Sequence, residues 1–252
     1  MAGGYGEDLA YIHDVGFGAF AQNAAPALRK MLRQHGVVSG LVVDLGCGTG
    51  IWAEELQNAG YQVLGVDQSA AMLAIARNRV PQGEFRQGSF LTVPLPPCVA
   101  VTAVGEGFNY LFDRRNTLRR LLELFHRIHD VLIPGGLFIF DMAGPGRAPG
   151  PGTQRKWWEG EDWAVLVAID EDRRRNLLTR RIVSFRMVGT LYRRDEEVHR
   201  QRLYAPSEIV RQLRSCGFRV RTLRGYGKNR FPAGHCGFLA RKPNSPGTGP
   251  QG

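Results

Sequence analysis

Lysine is almost missing from this chain: Lys30, Lys156, Lys228 and Lys242 are the only four. The formal net charge of +10 is therefore carried by arginine. No apolar run reaches the roughly eighteen residues that a membrane-crossing helix needs, which argues against a membrane span. The first eight residues lack the basic and apolar stretches of a secretory signal. Cys47, Cys98, Cys216 and Cys236 are scattered, with no C-x-x-C pair and no histidine at ligand spacing. That pattern argues against a disulfide framework and a metal site, and fits reduced thiols in the cytoplasm. No internal repeat is present. What is left is a cytoplasmic globular protein whose 252 residues make one domain with an insertion, or one and a half domains.

Arginines crowd between Arg173 and Arg202. One reading is a basic surface for nucleic acid or an anionic substrate. The other is arginine on solvated strand faces. The run is not interleaved with the exposed aromatics that base stacking uses, which favours the second reading and argues against a nucleic-acid partner.

The richest stretch is Val42-Val43-Asp44-Leu45-Gly46-Cys47-Gly48-Thr49-Gly50. A β-branched strand runs into a carboxylate and then into three glycines spaced by two. Glycines at a strand's carboxyl end let a cofactor approach bare backbone. A dinucleotide loop reads G-x-G-x-x-G, and here the third glycine comes one residue early. A P-loop needs Lys followed by Ser or Thr, and Ile51-Trp52 stands there instead. The D-x-G-x-G-x-G spacing suits a ligand with an adenosine and an amino-acid tail but no phosphate. Downstream, Tyr61 to Asp67 reads as a second strand ending in an acid, about twenty residues past the glycines, where an acid accepts ribose hydroxyls.

These motifs, with the Gln68-Ser69-Ala70-Ala71-Met72-Leu73 helix start, resemble the class I S-adenosylmethionine (SAM)-dependent methyltransferases. The resemblance is good over roughly Val37 to Ala143. It implies an α/β fold: a doubly wound, seven-stranded, mostly parallel sheet of order 3-2-1-4-5-7-6, Rossmann-like, with its last strand antiparallel. It also implies SAM as cofactor, with Asp44, Gly46, Cys47, Gly48, Gly50, Asp67, Gln68, Met72, Ser89, Phe90 and Glu106 around it. Ser89 departs from the family, which usually has an acid there to receive the adenine amine.

Alternating signals place strands near 41–46, 62–67, 84–89, 99–105 and 136–142, and helices near 51–59, 69–79 and 114–131. Ile133-Pro134-Gly135-Gly136 reads as a turn before the fifth strand. Residues 1–36 read as a helical N-terminal cap. The SAM-binding domain takes 37–152 and 205–242. The stretch Gly144 to Gly152 reads as an irregular, mobile connection. Three strand-like runs at 162–170, 177–188 and 191–204 make 153–204 an antiparallel lid over the carboxyl edge of the sheet. Residues 243–252 read as a disordered tail.

At the methyl-transfer end, the candidates are Glu106 beside the transferred methyl, Tyr110 after the fourth strand, His13 in the cap and His199 in the lid. Tyr11, Asn109, Tyr110, Arg180, Arg186, Arg202 and Tyr204 are candidates to hold the acceptor. His235 is a further residue that approaches the pocket. The base-amine motif N-P-P-Y is absent after the fourth strand. The expected function is methyl transfer to a small molecule at nitrogen or oxygen rather than carbon, by a monomer or homodimer. The rivals are an RNA or protein methyltransferase using the arginine-rich lid, and a non-catalytic SAM-fold protein that regulates a partner.

Overall fold

The computed structural model describes residues 4–148, 150 and 152–244. Two helices, α1 (Glu7–Phe17) and α2 (Ala19–Gln34), precede the sheet. Then β1 (Leu41–Leu45), α3 (Ile51–Asn58), β2 (Gln62–Asp67), α4 (Ala70–Arg79), β3 (Glu84–Gln87), β4 (Cys98–Ala103), α5 (Leu118–Val131) and β5 (Leu132–Ala143) alternate. Four antiparallel strands follow: β6 (Gln154–Glu159), β7 (Trp163–Asp172), β8 (Leu177–Val188) and β9 (Leu191–Arg202). The chain ends with α6 (Pro206–Ser215), β10 (Arg219–Leu223), the short pair β11 (Gly225–Tyr226) and β12 (Asn229–Arg230), and β13 (His235–Arg241).

The main sheet runs β10-β13-β5-β4-β1-β2-β3. β1 to β5 are parallel, and β13 lies antiparallel between β5 and β10. This is the expected order and polarity. The strands are near-continuous apolar runs because both faces are covered, as parallel sheets require. One face packs Leu121, Leu124, Phe125 and Ile128 of α5 and Ile209 and Leu213 of α6. The other packs α2, α3 and α4 through Leu28, Leu32, Trp52, Leu56, Leu73 and Ala76. Phe108 lies at the centre of the first layer, edge-on to Phe90, Phe125, Phe138 and Phe140 at 5.2–6.2 Å.

Three local expectations need correction. The antiparallel insertion has four strands, because Gln154–Glu159 also pairs, on β7; its run Gln-Arg-Lys-Trp-Trp-Glu lacks the alternation that marks a half-buried strand. Ile133 to Gly136 does not separate helix from strand. It runs into β5, with Gly135 at φ +81° donating its N–H to Lys242 O. The Gly144–Gly152 connection is also tied down where it is described. Gly146 and Ala148 donate their N–H groups to Glu171 at 2.7 and 2.8 Å, and Gly144 donates to Gly234 O. Of the expected tail, residues 245–252 lie outside the described residues.

The antiparallel sheet presents Trp163, Val165 and Ile182 to Leu9 and Ile12 of α1. α1 is fixed from the other side by Asp14, which takes both carboxylate bonds from Arg79 of α4 at 2.7 and 2.8 Å. Phe20 of α2 is 36% exposed, and its ring lies over His235 at 6.0 Å.

Candidate active site

The glycine loop is shaped for something to lie against it. Gly46 and Gly48 have φ of +73° and +54°, which only glycine adopts without strain. A Cβ at Gly48 would meet nothing within 4 Å, and one at Gly46 only Gly107 Cα at 3.9 Å. The space beside both is open. Gly50 is different: a Cβ there would stand 3.0 Å from Ala76 Cβ, so this glycine serves the packing of the loop on α4 and does not line the cavity. Asp67, at the end of β2, accepts Gly48 N–H at 3.0 Å with one oxygen and Ser69 N–H at 2.9 Å with the other. Burial raises its carboxyl, and these backbone donors oppose the rise.

The loop borders a cavity of about 170 Å³. Ten of the sequence candidates line it: Asp44, Gly46, Cys47, Gly48, Asp67, Gln68, Met72, Phe90, His13 and Tyr110. Ser89 does not. Its hydroxyl accepts Leu91 N–H at 3.2 Å and starts the turn after β3, while its neighbour Gly88 forms the wall. Sequence reading missed Tyr5, Phe17, Phe20, Trp52 and Phe112 as lining residues. Tyr5 and Phe112 lie outside the regular elements, while Phe17, Phe20 and Trp52 lie on helices.

Asp44 sits 2% exposed beneath the loop. It accepts the Thr102 hydroxyl at 2.7 Å, and Thr102 Oγ1 accepts Trp52 Nε1–H at 3.1 Å. Burial pushes the Asp44 carboxyl up to about 7, against the help of Thr102. A cationic group placed over Asp44 would draw that proton off. The adenosine-and-ammonium ligand implied by the loop spacing therefore fits the residues present: open backbone at two glycines, an acid at the β2 end, Met72 beside it, and a buried acid awaiting a cation.

The opposite end of the cavity is made by side chains. Tyr5 and Tyr110 share a hydroxyl–hydroxyl bond at 3.2 Å, and Tyr110 stacks on Phe112 at 4.9 Å. His13 lies edge-on to Tyr5 at 5.3 Å, and its buried Nδ1 has no hydrogen-bond partner. Burial lowers the His13 pKa, with His199 adding to the shift and Asp14 opposing it, so the ring is neutral at pH 7. Tyr5 is held in place at its backbone. Ser69 Oγ caps α4 by accepting Met72 N–H at 3.1 Å and donates to Tyr5 O at 2.7 Å. Next door, Gly6 N–H donates to Glu197 of β9.

Glu106 is not a free base. Burial alone would raise its carboxyl, but the charges of Arg147, Arg180 and His235 outweigh burial and bring it down to about 2. Arg147 Nε donates to it at 2.5 Å, Gln201 at 3.2 Å and Arg180 at 3.4 Å. Its backbone has φ +62°, and its N–H and that of Gly105 donate to the fully buried Asp141. Asp141 also takes Tyr226 OH at 2.8 Å and pairs with His235 Nε2 at 2.7 Å. Glu106 is thus the buried hub under the methyl-transfer end. It does not line the cavity.

Other candidates are structural too. His199 pairs with Glu197 at 2.7 Å behind Tyr5, Tyr110 and Phe112, and stays outside the cavity. Asn109 donates to Ala143 O and Arg202 O and accepts Ala143 N–H, clamping β5 to β9. Tyr11 bonds Asp162 and lies under the Arg186 guanidinium at 3.8 Å. Arg202 is exposed, and only its carbonyl reaches inward. Tyr204 is 4% exposed in the core, with its hydroxyl pushed up to about 12 by burial. The arginine-rich segment is partly an internal ion-pair system: Arg180 serves Glu106, while Arg186 and Arg193 serve Asp8.

A sheet of order β10-β13-β5-β4-β1-β2-β3 with a glycine loop and an acid at the second strand end is the architecture of a nucleoside-binding fold. Residues 42–136 match the family model described as methyltransferase domain. A putative methyltransferase, YqeM, from Bacillus subtilis is 27% identical, covering 72% of this chain and 74% of its own. The chain spans about half the length of other curated methyltransferases it matches. An S-adenosylmethionine-dependent methyltransferase from Clostridium acetobutylicum superposes with a TM-score of 0.79 at 20% identity, covering 93% and 98% of the two chains. The SAM-bound amino pentose methyltransferase CalS10 from Micromonospora echinaspora gives 0.75 at 19% identity, over 95% and 98%. These likenesses below 25% show a shared fold. The family match and the curated relatives make the chain a methyltransferase, and its fold is that of SAM-dependent methyltransferases of known structure. Among the described residues, no helix is long and apolar enough to cross a membrane.

Proposed function

We propose that this enzyme methylates a small molecule at a neutral nitrogen or oxygen. The observation that carries the reading is the acceptor end of the cavity. Tyr5, Tyr110 and His13, whose Nδ1 is unpartnered, line it, while the arginines behind them, Arg147 and Arg180, are held on Glu106. Such a surface hydrogen-bonds an uncharged amine or hydroxyl and leaves a carboxylate or phosphate uncompensated. α1 lines this end through His13 and Phe17, with the antiparallel sheet packed behind α1, which favours a small molecule over a macromolecular acceptor.

In this reading Gly46 and Gly48 hold the amino-acid tail of SAM by backbone, and Asp44 takes its ammonium. Asp67 takes the ribose, and Met72 and Phe90 border the adenine. SAM supplies a methyl group on a sulfonium, an already activated leaving group. The chain's work is to bring the acceptor lone pair to contact distance and keep water out, which supplies several kcal/mol by orientation alone. Tyr5 and Tyr110 orient the acceptor, and His13 Nδ1 takes the proton it sheds.

The test is calorimetric titration with S-adenosylhomocysteine, beside Asp67→Ala, followed by an acceptor screen of amines, phenols and carboxylates. Binding lost in the variant, with turnover on amines or phenols, supports the reading. Turnover confined to carboxylates, or no binding at all, sinks it.

A further inference from the structure

The turn after β4 is held by a side chain of the neighbouring strand. β4 and β5 pair in register as far as Ala103 and Phe140. Beyond that pair the chain leaves the ladder, and its buried amides need another acceptor. Asp141, one residue past Phe140 and fully buried, supplies it. Gly105 N–H donates to its two oxygens at 2.9 and 3.2 Å, and Glu106 N–H to one of them at 2.9 Å.

The path so held is not one the chain takes freely. Gly105 has φ +95° and Glu106 φ +62°. A residue with a side chain stays in the left-handed region only where its surroundings enforce it. Gly107–Asn109 then make a short helical turn, with Asn109 N–H on Glu106 O at 3.0 Å, and lead into Tyr110. Gly105, Gly107 and Tyr110 line the cavity, and Asp141 does not. A Cβ at Gly105 would meet nothing within 4 Å, and Gly107 Cα stands 3.9 Å from where a Cβ of Gly46 would be. The turn is thus the wall that faces the glycine loop.

We propose that Asp141 is a positioning residue for the cofactor: it sets the Gly105–Gly107 wall and, through it, the place of Tyr110. The assignment rests on the reading of this cavity as the SAM site. The carboxylate is itself held from behind. Its Oδ1 also accepts Tyr226 OH at 2.8 Å, and its Oδ2 pairs with His235 Nε2 at 2.7 Å. Those two rings are fixed on Phe231, Tyr226 edge-on at 4.9 Å and His235 stacked at 4.2 Å. Each oxygen therefore joins one donor of the turn to one side chain of the C-terminal segment. An asparagine keeps one acceptor oxygen, and a neutral one binds more weakly than a carboxylate. An alanine keeps none.

Calorimetric titration with S-adenosylhomocysteine, beside hydrogen exchange at the 104–108 amides, tests this on the full chain. Asp141→Ala should weaken binding at least about tenfold, and Asp141→Asn should recover part of the loss. Exchange at Gly105 and Glu106 should quicken in Asp141→Ala while the α5 amides stay protected. Ile128→Ala, in the α5 core, serves as the comparison for stability alone: its unfolding midpoint should fall while affinity stays within about twofold.

Wild-type affinity in Asp141→Ala overturns the proposal. So does an equal loss of affinity in Ile128→Ala, which would mean that binding only follows stability. If Asp141→Ala does not fold, Asp141→Asn decides, and affinity and exchange both unchanged in it sink the assignment. Wild-type protein that binds no S-adenosylhomocysteine removes the SAM reading instead. Exchange then decides separately whether Asp141 holds the turn: quickened at Gly105 and Glu106 it upholds the hold, unaltered it overturns it.

Discussion

The two ends of the cavity are made of different material. The cofactor end is backbone: two left-handed glycines, and amide groups anchored on Asp67 and Val66 O, all within residues 44–69. The acceptor end is side chain, drawn from Tyr5, His13 and Tyr110 and braced by Arg180, Glu197 and His199. A backbone site needs few particular residues but a fixed chain path. A side-chain site needs segments far apart in sequence to arrive together, and can change its chemistry without disturbing the cofactor.

The most severe test of that division is His13. If it accepts the proton, His13→Asn should lower kcat by about 10²- to 10⁴-fold while S-adenosylhomocysteine affinity stays within about twofold. Single-turnover kinetics beside calorimetry reads both. An equal loss of binding would show that the two ends are not separable. Because burial lowers the His13 pKa, kcat should also fall on the acid side of its ordinary value near 6.5 and stay flat above neutrality.

Next in size is the hub beneath the acceptor end. Glu106→Ala strands Arg147 and Arg180, and should cost about 3–5 kcal/mol in denaturant unfolding. The sign with pH follows from the depressed carboxyl. Its stabilisation is complete above an ordinary glutamate pKa of 4.5, and is lost as the pH falls from there toward about 2. An unchanged unfolding midpoint in the variant would remove the hub.

Asp67→Ala strikes the cofactor end alone. It removes the acceptor of the Gly48 and Ser69 N–H groups together with the proposed ribose contact, so S-adenosylhomocysteine should bind about 10- to 100-fold more weakly, with a loss of stability, read from the thermal midpoint, of about 1–3 kcal/mol per stranded donor at most. A variant that binds normally would relocate the nucleoside.

The smallest effect is the sharpest probe of Asp44. Its carboxyl titrates at about 7, so a ligand ammonium paired with it must expel a proton at lower pH. Affinity should rise by up to about tenfold per pH unit below 7 and level off above. Calorimetry in two buffers of different ionisation heat counts the protons released; none released at pH 6 would detach the ammonium from Asp44.

The same contrast explains which parts of the molecule are legible in the sequence. Asp44 to Asp67 is legible because glycine spacing and strand-end acids are local facts. Strand order follows from alternation and resemblance. Glu106 and His199 stand out as chemical groups because of where they fall, but whether a carboxylate is free or spent depends on who arrives beside it. Arg147 comes from a Gly/Pro connection and Arg180 from a strand 74 residues on. Asn109 and Tyr204 mislead for a related reason: Asn109 spends its amide on the backbone of β5 and β9, and Tyr204 packs its ring into the core. Tyr5 escapes notice because a short segment ahead of the first helix carries no periodicity to say where it lies.

That segment is also a latch. Tyr5 and Gly6 are latched by three hydrogen bonds, to Ser69, Glu197 and Tyr110. At about 1 kcal/mol each, unlatching leaves fewer than roughly one molecule in a hundred open at any moment. Hydrogen exchange at the 5–8 amides reads that fraction directly. The same three bonds that hold Tyr5 beside the cavity therefore tie its lining to α4 and β9 at once, so one local opening would loosen both.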